Sequence, residues 1–101
     1  METIKFIVTG GIEEYVFRKD SFRLIHSTYS SGDTGLVDLY FAAEGDIVDP
    51  DKISLTVNRD FISIITTSIQ EKLLASGNVE IKHSTTSGVY QQVTGITYTA
   101  G

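Results

Sequence analysis

Apolar side chains in this chain recur at every second position through five short segments, then switch to every third or fourth, and that change of period constrains the fold. Ile4, Phe6 and Val8 alternate with Lys5, Ile7 and Thr9, and after Gly10-Gly11 the return segment Ile12 to Phe17 puts Tyr15 and Phe17 inward and Glu14 outward. Past the polar corner Arg18 to Ser21, Phe22, Leu24 and His26 alternate with Arg23, Ile25 and Ser27 as a third strand. The loop Ser30 to Gly35 leads to a fourth strand, with Val37, Leu39, Phe41 and Ala43 on its core face and Asp38 and Tyr40 opposite. An acidic loop from Asp46 to Lys52 contains Pro50, the one proline, in an Asp49-Pro50-Asp51 turn; Ile53, Leu55 and Val57 then make a fifth strand.

From Phe61 the spacing becomes helical: Phe61, Ile62, Ile65, Ile69 and Leu73 share one face, which predicts a helix from about Arg59 to Ser76. Asn58 is placed to cap its start, Asp60 suits the positive end of the helix dipole, and Gly77 suits the position just past its end. Ile and Thr are poor helix formers, so burial of the apolar face must hold this helix, and a strand over Phe61 to Ser68 is the competing reading. Beyond it, Val79, Ile81 and His83 alternate with Glu80 and Lys82 as a sixth strand, and Val89 to Thr99 gives one or two more.

The expected fold is therefore α+β, a single domain over residues 1–101: a bent antiparallel meander of about five strands, one helix, then C-terminal strands. The strand order over about residues 3 to 57 resembles small barrels of the SH3-like and Sm-like kinds, which implies a closed or strongly bent sheet. The chain departs from Sm-like proteins in carrying its helix after the barrel strands and in lacking an Arg-Gly RNA-contact motif. In texture it resembles small proteins of tailed marine bacteriophages: short, acidic, cysteine-free, with an ending rich in Thr, Ser and Gly.

Composition narrows the chemistry. Without cysteine there is neither a disulfide nor a thiolate metal site, which favours a reducing compartment. A formal net charge of −5 argues against nucleic acid and anionic lipid as general partners. The N-terminus does not read as a signal peptide, and polar residues between Phe61 and Leu74 interrupt the longest apolar stretch, so a soluble protein, cytoplasmic or virion-associated, is expected.

No motif indicates catalysis, a cofactor or a metal. Glu44, Asp46, Asp49 and Asp51 cluster, but their spacing does not match a calcium loop and suits turn-forming carboxylates. His26 and His83, the two histidines, have no ligand partners at a metal-binding spacing. His26 with Ser27 and either Asp20 or Asp38 makes a hydrolytic triad only by geometry that sequence cannot supply. Glu13 and Glu14 are adjacent in a strand and point to opposite faces. Gly10-Gly11 and Gly32 to Gly35 stand between strands, where phosphate loops do not occur. The one basic cluster is Arg18, Lys19 and Arg23, interleaved with Tyr15, Phe17 and Phe22; it carries the alternative reading of a small-barrel nucleic-acid-binding module.

The last nineteen residues, His83 to Gly101, carry no charged side chain with His83 neutral, whereas all thirteen acids and eight bases precede them. A β-prone ending without charges is an unguarded sheet edge, and another copy of the chain is its natural cover. The leading expectation is thus a non-enzymatic structural or assembly protein that acts as a homo-oligomer, and the resemblance in texture implies a phage-derived one. Residues 84–101 are the candidate exchangeable arm, with Val89, Tyr90, Val93, Ile96 and Tyr98 as its apolar anchors and flexible Ser84 to Gly88 as the joint.

Overall fold

In the computed structural model, which describes residues 2–7, 13–29, 32–42, 50–82 and 92–99, the chain runs through seven strands and one helix. Strands β1 (Thr3–Ile7), β2 (Glu14–Arg18) and β6 (Val79–Lys82) form sheet A in the order β2-β1-β6. Strands β3 (Phe22–Tyr29), β4 (Thr34–Phe41), β5 (Asp51–Asn58) and β7 (Val93–Thr99) form sheet B in the order β3-β4-β5-β7. All pairings are antiparallel except β1 with β6. The α+β class matches the sequence reading; the single five-strand meander closing into a small barrel does not.

The reason lies at the corner Lys19–Ser21, a 3-10 turn flanked by extended backbone at Arg18 and Phe22. Lys19 N–H donates to Glu2 C=O (3.0 Å), continuing sheet A, while Ala42 N–H donates to Ser21 C=O (2.8 Å), beginning sheet B. Within three residues the chain changes sheets instead of folding back as a hairpin, and β2 is left as an edge. The helix then returns the chain to sheet A, where β6 lies parallel to β1, a pairing that needs such an intervening crossover.

Helix α1 (Ile62–Leu74) follows a 3-10 turn at Arg59–Phe61, and the strand alternative over Phe61 to Ser68 is excluded. Asn58 Oδ1 accepts the Asp60 N–H (3.0 Å), as its position predicted. Ile62, Ile65 and Ile69 are buried and Leu73 packs beside them, the face that the spacing marked. Regular helix stops two residues before Ser76, because Ala75 is already extended although its N–H still donates to Glu71 C=O (3.0 Å). Gly77 then takes the left-handed turn, φ 99°, that sends the chain into β6, and its N–H donates to Glu2 Oε2 (2.9 Å).

Sheet A and α1 share the inner face of sheet B. At one end Phe17 stacks on Phe41 (centroids 4.2 Å apart, planes at 9°), and Phe6 and Phe22 meet Phe41 edge-on. At the other end α1 leans onto β3 and β4: Ser27 Oγ and Thr66 Oγ1 share a hydrogen bond (2.9 Å), and a Cβ on Gly35 would collide with Ile62 Cδ1. Between them lie Val37, Leu39, Ile53, Leu55 and Val57, fully buried along β4 and β5.

Strand β3 departs from simple alternation. Phe22 pairs with Phe41 but Leu24 pairs with Tyr40, so Arg23 is an extra residue in a bulge and the side-chain phase flips behind it. Phe22 and Ile25 pack on the core while Leu24 is half exposed. The expectations for Gly10-Gly11, Ala43, Glu44 to Asp49, His83, Ser84 to Gly88, Val89 and Tyr90 fall outside the described residues.

Candidate functional site

The three basic residues proposed for nucleic acid are not equivalent. The Lys19 side chain is only 8% exposed; Nζ donates to Ala75 C=O (2.7 Å) at the helix end and lies 3.7 Å from Glu2 Oε1. An ammonium there complements the negative end of α1 and fastens the corner between the sheets, a structural duty that takes it out of the surface. Arg18 pairs with Asp20 at 2.8 Å in the open. Arg23 alone has no ion-pair partner among the described residues.

Arg18 and Arg23 line a groove of about 780 Å³ that runs beside the whole of β2 and ends at Ala42, Asp51 and Tyr98 of the facing sheet. Its floor is the stacked pair Tyr15 and Tyr98, 5.0 Å between centroids, with Phe17 beside them. The Tyr15 hydroxyl donates to Glu13, and this bond, with burial next, raises its pKa above the ordinary 10.0. For Tyr98 burial comes first and the Asp51 carboxylate second, both raising it. Two protonated phenols, each serving a carboxylate, therefore stand in the groove at neutral pH. The sequence marked Arg18 and Arg23 as a basic cluster, Tyr98 as an anchor of the arm and Asp51 as a turn-forming carboxylate, but gave no sign that β7 and β5 bring the last two to the same groove. The adjacent apolar pair Leu24-Ile25, a break in the alternation, was the available sign of the bulge that carries Arg23.

The uncharged ending supplies β7 itself. Val93 is fully buried in the chain's own core, and Ile96 and Tyr98 pack against that core, so the apolar sides of these three anchors face their own subunit. On the other side Thr94, Thr97 and Thr99 are exposed, and β7 is the last strand of sheet B. The Thr56 C=O accepts from Thr94 Oγ1 (3.2 Å) and so points at β7; by alternation Ser54 and Lys52 do likewise. Ile96 and Tyr98, which pair with Leu55 and Ile53, consequently hold their backbone N–H and C=O groups toward the open edge.

A third constellation crosses the outer face of sheet B, where His26, Asp38, Ser54 and Thr97 stand directly opposite one another on successive strands. Asp38 is 8% exposed, and its Oδ1 has no hydrogen-bond partner among the described residues. The row holds the ingredients of a hydrolytic triad in the wrong order: the carboxylate lies between the imidazole and the hydroxyl, so His26 cannot take a proton from Ser54. Ser27, on the opposite face, bonds to the helix instead. Among the described residues no three His, Asp or Glu side chains converge on a metal-sized site, and no helix is long and apolar enough to cross a membrane. No known protein family matches the chain, and no curated protein or solved structure is similar to it.

Proposed function

We propose that the chain is a non-enzymatic structural or assembly protein that works as a homo-oligomer through the edge of sheet B. The observation that carries this reading is β7: seven residues without a charge or proline, at the end of a sheet, with Ile96 and Tyr98 offering backbone groups that no described strand pairs with. A second β7 placed antiparallel across a two-fold axis would pair those groups reciprocally and join two four-stranded sheets into one of eight. Backbone pairing and the threonine rows of the outer face would supply the contact, since the apolar sides of Val93, Ile96 and Tyr98 already serve their own core. The nucleic-acid alternative draws on Arg18, Lys19 and Arg23, of which Lys19 is engaged by Ala75 C=O and Glu2 and Arg18 is paired with Asp20.

The test is solution mass by light scattering. Thr97→Lys places a cation on an exposed site of the edge without touching the core, and the expected result is a shift to monomer. Mixing Thr97→Lys with Thr97→Glu chains should restore the larger species, because opposite charges then face each other across the pair. A parent chain that is monomeric at every accessible concentration, or an assembly indifferent to both substitutions, would sink the proposal.

A further inference from the structure

Among the described residues sheet A has three strands, and β2 is one of its two edges. The groove lies there: all five residues of β2 line it, and its opposite wall belongs to sheet B. Its length along β2, about 16 Å for five extended residues, suits a strand more than a compact ligand. The backbone of β2 is also set to receive one. Lys19 N–H bonds toward β1, so by alternation Phe17 and Tyr15 do too, while Glu14, Val16 and Arg18 turn their N–H and C=O outward. Ser21 Oγ occupies the Arg18 C=O (2.7 Å). Among the described residues no strand pairs with Glu14 and Val16 on that side, and Val16 is 53% exposed.

From these features we propose that the β2 groove binds an extended peptide segment of another protein, added antiparallel to β2, with an acidic side chain near its N-terminal end. Antiparallel pairing sets that end beside Arg18 and the bulge, where Arg23 is carried into the groove without an ion-pair partner among the described residues. The other charges there are matched: Glu14 faces Lys5 at 3.7 Å, Asp20 holds Arg18, and Asp51 acts on Tyr98. A carboxylate on the peptide therefore meets a guanidinium that no described acid pairs with, and takes it in a two-pronged hydrogen bond. The segment's middle, over Tyr98 and Asp51, takes small hydroxyl or apolar side chains and no second acid. Strand β7 of another copy does not meet this description, since Val93–Thr99 contains no acidic residue.

The probe is a five-residue peptide, the length of β2, acetylated and amidated at its ends: glutamate, threonine, valine, threonine, valine. Titrated into the 15N-labelled full chain, it should shift the backbone amide signals of Glu14 and Val16 saturably. Replacing its glutamate by glutamine should weaken binding about fivefold to tenfold. In the Arg23→Gln chain the two peptides should bind alike, which ties the preference to that guanidinium. Val16→Pro removes an outward N–H that no internal pairing uses and should abolish binding of both peptides. Absence of shifts at millimolar peptide, equal affinity of the two peptides for the parent chain, or shifts confined to β7 would each overturn the proposal. Should Val16→Pro fail to fold, the peptide and Arg23→Gln comparison decides alone.

Discussion

Tyr15 and Tyr98 show how single side chains in this molecule couple packing to charge. Each ring stacks on the other, and each hydroxyl is held protonated by a neighbouring carboxylate and by burial. The sign of the consequence follows from the raised values. Well below pH 10.0, where an unfolded tyrosine titrates, both phenols are neutral in either state and their contribution to stability is fully present. Above that, the unfolded chain ionises first, so stability falls as pH rises through the folded values. Thermal midpoints measured across this alkaline range should decline in the parent chain, and the Tyr15→Phe/Tyr98→Phe double variant should decline less. Equal slopes would show that the pair does not govern alkaline unfolding. Lys19 makes the converse point, a cation drawn off the surface to hold a helix end. Asp38 is a third case, a carboxylate on a solvent-side face that its neighbours nonetheless bury. Neither burial could be read from sequence, because each depends on which strands flank the residue.

Among the elements, α1 carries its apolar stripe as its spacing predicted, and its stability rests on burial more than on propensity. Ile65 is fully buried and Ile64 is 53% exposed, so the two adjacent isoleucines make an internal control. Ile65→Ala should destabilise by about 2–5 kcal/mol, as expected for a core cavity. Ile64→Ala should change stability by less than about 0.5 kcal/mol, as at ordinary surface sites. Similar losses in chemical denaturation would mean that the helix docks through another face. The strands β1, β2, β4 and β5 were legible for the same kind of reason, since a half-buried strand must alternate. β3 was legible as a strand but not in phase, because the extra residue Arg23 shifts every side chain behind it to the other face. The pairing of β6 with β1 was beyond local pattern altogether: nothing in Val79–Lys82 names a partner 75 positions earlier. The groove inherits both difficulties, being built from the bulge, the corner and the far end of β7.

At the scale of the whole molecule, the C-terminal strand is as much a part of the fold as a candidate for assembly. β7 covers β5 along nearly its entire length, from Val57 opposite Val93 to Lys52 opposite Thr99. It delivers Val93 to the core, Ile96 to its margin and Tyr98 to the stack that joins the two sheets. Full burial of one such side chain is worth about 1.5–3 kcal/mol. Domains of this size are stable by only about 5–15 kcal/mol in total, so losing three such residues together removes a large part of the margin. Removal also bares β5, whose Ile53, Leu55 and Val57 are fully buried in the intact chain. Deleting residues 88 to 101 should therefore abolish the cooperative thermal transition and expose apolar surface to a hydrophobic dye, instead of yielding a folded monomer. A truncated chain that still melts cooperatively near the parent midpoint would show that the rest of the fold is self-sufficient and that β7 is an appendage. In that outcome the strand would be free to exchange between subunits, and the loss or retention of the assembled mass on truncation would report directly on the arm. If the transition is lost, a change of mass on truncation reflects unfolding. The substitutions at Thr97, which leave the core side of β7 intact, are then the means of separating assembly from folding.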